Sequence, residues 1–175
     1  MTQQLIITIL GANEFGMLST IADTVCEVGC NILDSRQALF GQDFSLTLII
    51  EGTQSAIVQA ELAIPVTCQK HNLLSMMKRT KKHSKQHLET LADVIITGVS
   101  IIGVVKQITG FFSEQQISVS ALRLKTLEQA EYESKLMKCK MVVSMPHSVN
   151  VEDIEQRFQA LLVELNLTGS IKQNH

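Results

Sequence analysis

The segment from Ile7 to Gly16 recurs in outline from Val94 to Gly103. The offset is 87 (103 − 16) and holds without a gap for about 30 residues, pairing Ile9 with Ile96, Gly11 with Gly98, Gly16 with Gly103, Ile21 with Ile108, Glu27 with Glu114 and Arg36 with Arg123. A repeat on this scale makes 175 residues two small domains rather than one of medium size. The expected boundaries are residues 1–80 for the first domain, 81–91 for a basic polar linker and 92–175 for the second. Domains this small bury a modest share of their surface, so each is expected to pack on its twin or on another chain.

Hydrophobic spacing assigns the elements inside each repeat. Residues 5–10 are rich in Ile and Leu and stop at Gly11, which reads as a strand. Leu18, Ile21, Ala22, Val25 and Cys26 then follow a helical period, and Gly29 is placed to end that helix in a left-handed conformation. Strands are expected over 30–40 and 44–50 around a turn at 41–43. A short helix should open at Gly52 and Thr53 and stop at Pro65, before a strand over 73–80. The second repeat gives a strand at 94–97, then a helix with Val104, Val105, Ile108, Phe111 and Phe112 on one face. Strands at 117–126 and 135–145 flank a polar hairpin at 127–134. Asn150 caps a helix striped by Ile154, Phe158, Leu161, Leu162 and Leu165, and a strand at 168–172 follows. The order βαββαβ closes into an α+β unit, a four-stranded antiparallel sheet with two helices on one face.

Charge and composition exclude several functions. Fifteen basic and 17 acidic residues leave a net charge of −2, which supplies no general field for nucleic acid. Five Lys or Arg crowd residues 78–85, but without aromatics they read as a solvated tether. Cys26, Cys30, Cys68 and Cys139 form no disulfide framework or zinc spacing, and reduced thiols in a cytoplasmic protein are expected. The longest apolar stretch, residues 94–105, is too short and too interrupted to span a bilayer. Nucleophile–base patterns, phosphate loops and dinucleotide fingerprints do not occur, so no catalytic residue, metal or cofactor is expected, and the chain reads as a non-enzyme.

The strongest candidate site lies where the first strand meets the first helix. Asn13 stands on the loop into the helix, and Asn31 opens the next strand 18 residues later (31 − 13). In a right-handed βαβ-type path the two points can converge at one end of the sheet. A helix N-terminus presents free N–H groups that favour a carboxylate, while carboxamide oxygens accept from an ammonium. Together they would suit a zwitterionic amino acid. The bland alternative is that both Asn make turn contacts and that Gly16 serves backbone packing. Arg36 and Arg123 share a strand position, where a carboxylate or interface contact competes with a solvated Arg lying over the sheet.

These residues carry a family resemblance. Gly11, Asn13 and Gly16, a helix, then Gly29, Asn31 and Ile32 resemble the ACT domain, with Phe15 where the family usually has Pro. The resemblance implies two ferredoxin-like βαββαβ domains. It also implies an amino-acid site along Gly11, Asn13, Glu14, Phe15, Gly16, Met17 and Leu18, with Asn31 and Ile32 on the following strand. The second repeat has Ser100 and Ser118 at the two Asn positions, so an equivalent site is not expected there. Further matches at Asp34-Ser35-Arg36, Met77-Lys78-Arg79-Thr80 and Gly169-Ser170-Ile171 make nearly the whole chain similar to tandem ACT regulators of transcription. This resemblance implies repression of glycine cleavage genes through protein contact with a LysR-type activator. Glycine or another small amino acid would relieve it, and a homodimer is compatible. A regulatory subunit of an amino-acid biosynthetic enzyme is the other reading. No helix-turn-helix with a basic recognition helix is seen, so direct nucleic-acid binding is not expected.

Overall fold

A computed structural model describes residues 2–81, 89–128 and 135–174. The chain divides into two compact units, Met1–Ser84 and Lys85–His175. Each has its own sheet and its own core.

The first unit runs β1 (Thr2–Ala12), α1 (Met17–Glu27), β2 (Asn31–Phe40), β3 (Asp43–Thr53), α2 (Gln54–Lys70) and β4 (Leu74–Thr80). Its strands lie in the order β2-β3-β1-β4, and every pairing is antiparallel. Alternation sorts β1 by face. Leu5, Ile7 and Ile9 are buried among the helices, while Ile6, Thr8 and Leu10 lie on the face the helices leave open. Leu46, Leu48 and Ile50 of β3 and Ile57 and Ile64 of α2 complete the buried layer. Each such side chain contributes about 1.5–3 kcal/mol of hydrophobic stabilisation. Gly11 lies in close approach to Leu73, whose Cδ2 would have to move aside for a Cβ built 2.5 Å from it. Gly98 meets Leu167 Cδ2 in the same way at 2.5 Å.

The second unit repeats the plan with β5 (Glu89–Val99), α3 (Val104–Glu114), β6 (Ser118–Leu127), β7 (Leu136–Pro146), α4 (Val151–Glu164) and β8 (Leu167–Gln173). The strand order is β6-β7-β5-β8, again antiparallel. Phe112 of α3 and Phe158 of α4 stack at a centroid distance of 5.4 Å, with Phe111 against both, and join the two helices over the sheet. Asn150 caps α4 as expected, its side chain accepting from the N–H groups of Glu152 and Asp153. The chain is thus α+β, two ferredoxin-like units of four strands and two helices each.

Three expectations need correction. Pro65 does not stop α2, which continues to Lys70. Ile57, Ala60, Ile64 and Cys68 keep helical spacing across the proline and are all buried, and this packing outweighs the lost backbone hydrogen bond. The buried face of α1 is Met17, Ile21, Thr24 and Val25, while Leu18 and Cys26 are exposed. Thr24 is admitted because its hydroxyl is satisfied, donating to Thr20 O at 3.0 Å and lying 3.1 Å from the Thr67 hydroxyl of α2. Residues 89–91 are strand, because β5 begins at Glu89 and pairs along β7. The rest of the expected linker, 82–88, and residues 129–134 of the expected hairpin lie outside the described residues.

Both units carry the same irregularity. Register shifts between Ile32 and Asp34 in β2 and between Val119 and Ala121 in β6, again 87 apart (119 − 32). One extra residue in a strand reverses which face the following side chains occupy. Past the bulge, Asp34 and Arg36 fall on the open face of the first sheet. Ala121, Arg123 and Lys125 fall on the open face of the second.

Candidate functional site

The β1–α1 loop is held at the end of the first sheet by one backbone contact: the N–H of Asn13 donates to Gln42 O at 2.8 Å. Gly16 then takes φ 84°, a left-handed conformation that glycine adopts without the penalty of a Cβ, and α1 begins at Met17. No side chain caps this helix, and its first turn holds no acid. The N–H of Thr20 reaches Gly16 O at 2.9 Å. Those of Leu18 and Ser19 find no acceptor among the described residues. By contrast, α2 is capped by Thr53 and α4 by Asn150. An uncapped helix of 11 residues leaves oriented donors at a partial positive charge, which suits a carboxylate.

A hollow of about 220 Å³ lies over this terminus. Asn13, Glu14, Phe15, Gly16, Met17 and Leu18 all line it, so the structure gathers six of the nine expected site residues. Ser19, Gln37 and Phe44 line it as well and were not expected. Gln37 lies two strands away from β1, and no short sequence pattern links it to Asn13; the signal is the sheet order. Phe15 is fully exposed at the loop tip, and so is Ile102 at the matching position of the second unit.

The structure does not bring Asn31 and Ile32 to this hollow. Asn31 pairs with Glu51, and Glu51 pairs with Gln4 near the start of β1, whereas the loop of Asn13 follows the end of β1. Nine residues of strand separate Gln4 from Asn13 (13 − 4), about 30 Å at ~3.3 Å per residue. The expected convergence within one sheet is therefore wrong. In an antiparallel sheet β2 starts at the far end from the β1–α1 loop, because α1 carries the chain back before β2 begins. Gly11 lies in β1 behind the hollow, against Leu73.

The second unit reproduces the frame without the carboxamides. Ser100 donates its N–H to Lys135 O at 2.8 Å, Gly103 takes φ 84°, and α3 has no side-chain cap. Ser118 pairs with Ser144 where the first unit pairs Asn31 with Glu51. Among the described residues no group of His, Cys, Asp and Glu is arranged to hold a metal ion. Burial pushes the thiols of Cys30, Cys68 and Cys139 above the ordinary cysteine range, which suits structural side chains and not nucleophiles. No helix is long and apolar enough to cross a membrane among the described residues.

Known proteins share this architecture. A model of the ACT domain matches residues 3–78, nearly the whole βαββαβ span of the first unit. The glycine cleavage system transcriptional repressor of Escherichia coli (strain K12) is 30% identical over 167 residues, covering 95% of this chain and 88% of that protein. The protein of the same name from Shigella flexneri matches equally. A crystal structure assigned to a glycine cleavage system transcriptional repressor superposes with a TM-score of 0.78 at 30% identity, covering 99% of this chain and 98% of the other. A Galdieria sulphuraria protein of unknown function shares the fold, with a TM-score of 0.80 at 14% identity over the full length of both chains. The tandem sheets and the match along almost the entire chain agree on a regulatory protein, and the chain belongs to the ACT-domain family that includes the glycine cleavage system transcriptional repressor.

Proposed function

We propose that this protein represses glycine cleavage genes by binding a LysR-type activator in the cytoplasm, and that glycine or another small amino acid relieves the repression. The similarity over 95% of the chain supports the role. The observation that carries the sensing step is the uncapped N-terminus of α1 beneath the Asn13 hollow. An amino-acid carboxylate would accept from the free N–H groups of Leu18 and Ser19. The Asn13 carboxamide would accept from the ammonium. The hollow, at about 220 Å³, suits a small amino acid better than a nucleotide.

Asn31 enters this reading from a second copy. Strand β2 is an edge, its residues are exposed throughout, and it carries Asp34 beside Arg36 at 3.6 Å. Two β2 strands paired antiparallel about Ser35 would set Asp34 of each copy opposite Arg36 of the other, a self-complementary contact. The same pairing places Asn31 of one copy beside Leu39 of the other, at the sheet end that bears Asn13. Ligand would then stabilise one arrangement of the modules and the activator would prefer another, which is coupling by differential affinity.

Calorimetry with glycine on the full chain tests the site. Asn13→Ala and Asn31→Ala should each weaken binding, whereas Ser100→Ala should not. Equal binding by all four proteins would remove the assignment. Co-purification of the activator with the wild-type chain, reduced by added glycine, tests the role; recovery of an amino-acid biosynthetic enzyme instead would favour a regulatory subunit.

A further inference from the structure

We propose that the open face of the second sheet docks an acidic, extended segment of a partner protein, with Arg123, Lys125, Lys138 and Lys140 as its counter-charges. In β6 and β7, Arg123 stands directly opposite Lys140 and Lys125 directly opposite Lys138, and all four side chains are exposed. The bulge between Val119 and Ala121 puts the β6 pair on this face. None of the four makes an ion pair with a described residue. Like charges directly opposite one another weaken a sheet. Here two such pairs are adjacent, on a chain whose net charge is −2.

The first sheet shows that the fold does not need them. Its matching square is Arg36, Ala38, Ser45 and Thr47, with Arg36 opposite Thr47 and Ala38 opposite Ser45. Its one cation is paired with Asp34, and that acid becomes Ala121 in the second unit. Three cations have been gained within the square and Asp34 lost, while an exposed acid, Asp93, takes the place of Ile6 on the same face. The square lines a hollow of about 270 Å³. A second hollow of about 330 Å³ shares Arg123 and Lys140, is floored by Ile95, Ala121 and Val142, and has Asp93 on its lining.

The chemistry of this surface selects the occupant. Alternate residues of an extended chain repeat every ~7 Å, the spacing of Arg123 to Lys125 and of Lys138 to Lys140 along their own strands. Carboxylates on alternate residues therefore match the square, and apolar residues of the same segment would fit the Ile95–Val142 floor. Nucleic acid fits less well, because Phe111, Phe112 and Phe158 pack on the helix side and leave no described ring on this face for a base to stack on. A second copy joined edge to edge through β6 about Leu124 would oppose Arg123 to Lys125, cation to cation, unlike the self-complementary β2 edge.

Fluorescence anisotropy on the full chain at about 0.15 M salt tests the proposal. The probes are a fluorescein-labelled peptide of repeated Glu-Ser, its Gln-Ser counterpart and a labelled DNA duplex. The wild type should bind the Glu peptide and not the Gln peptide. The double variant Lys138→Gln with Lys140→Gln should bind about tenfold more weakly, while Lys78→Gln on the first sheet should bind as the wild type does. Arg123→Gln gives an independent variant should the double one melt early by circular dichroism. Equal binding of the Glu and Gln peptides, or full binding by both basic-face variants, would overturn it. Tighter binding of the duplex than of the Glu peptide would overturn it in favour of nucleic acid.

Discussion

Asn13 and Asn31 occupy opposite ends of the first sheet: the N–H of Asn13 is anchored to Gln42 O at the β2–β3 turn, and Asn31 pairs with Glu51 at the far end of β3. A ligand touching both must therefore bridge two modules. In the proposed two-fold pair, each of two sites would take Asn13 from one copy and Asn31 from the other. Asn13→Ala and Asn31→Ala proteins should each bind glycine more weakly, and mixing them with exchange of subunits should restore wild-type affinity to about a quarter of the sites, because half of the dimers are mixed and each mixed dimer has one intact site. Calorimetry on the mixture reads this directly. No recovery after exchange would mean that the two residues act within one chain or not at all.

The bidentate contact between Arg79 of β4 and Glu61 of α2 gives a pH dependence of known sign. Arg79 donates to both Glu61 oxygens at 2.7 Å, and this holds the carboxyl below its ordinary range and the guanidinium above its own. A lowered carboxyl pKa contributes stability above the unfolded value, about 4.3, which is lost as pH falls through the folded value. Arg79→Ala should therefore lower the urea midpoint at neutral pH. The difference from wild type should shrink as pH falls below about 4. Both side chains are partly exposed, so the neutral-pH effect should be modest and reduced by salt.

Thiol reactivity should separate the cysteines. Cys26 is exposed on α1, while Cys30, Cys68 and Cys139 are buried and their thiols shifted upward by burial. Under native conditions at neutral pH, a thiol-disulfide reagent should titrate one group quickly and the other three only on unfolding. Cys26→Ser should remove the fast phase.

The basic square on the second sheet should weaken that unit when it is unoccupied. Replacing Lys140 by Thr, the residue at the matching place of the first sheet, removes the repulsion with Arg123 and should stabilise the protein by about 0.2–1 kcal/mol. Denaturant titration measures this. A destabilised Lys140→Thr would show that the lysine stem contributes more packing than its charge costs.

Much of this was legible in the chain because it is local. Gly16 and Gly103 announced their loops, the helical spacing from Val104 to Phe112 announced α3, and Asn150 announced the start of α4. Pro65 misled because a local rule on helix interiors was overridden by the buried face of Ile57, Ala60, Ile64 and Cys68. Cys26 misled because an apolar stripe can be drawn through several neighbouring angles, and the contact between Thr24 and Thr67 rotates the buried face away from it.

The sequence alone determined that a βαββαβ unit occurs twice and that its copies differ at Asn13, Asn31, Ser100 and Ser118. Only the tertiary structure decided which residues are neighbours. The antiparallel register separates Asn13 from Asn31 and gathers Gln37 beside Asn13, while the paired bulges turn Arg36 and Arg123 to the open faces. The reason is physical. Helix periodicity and turn chemistry act over a few residues, but strand pairing joins distant segments, and a one-residue change of register moves every following side chain to the other face.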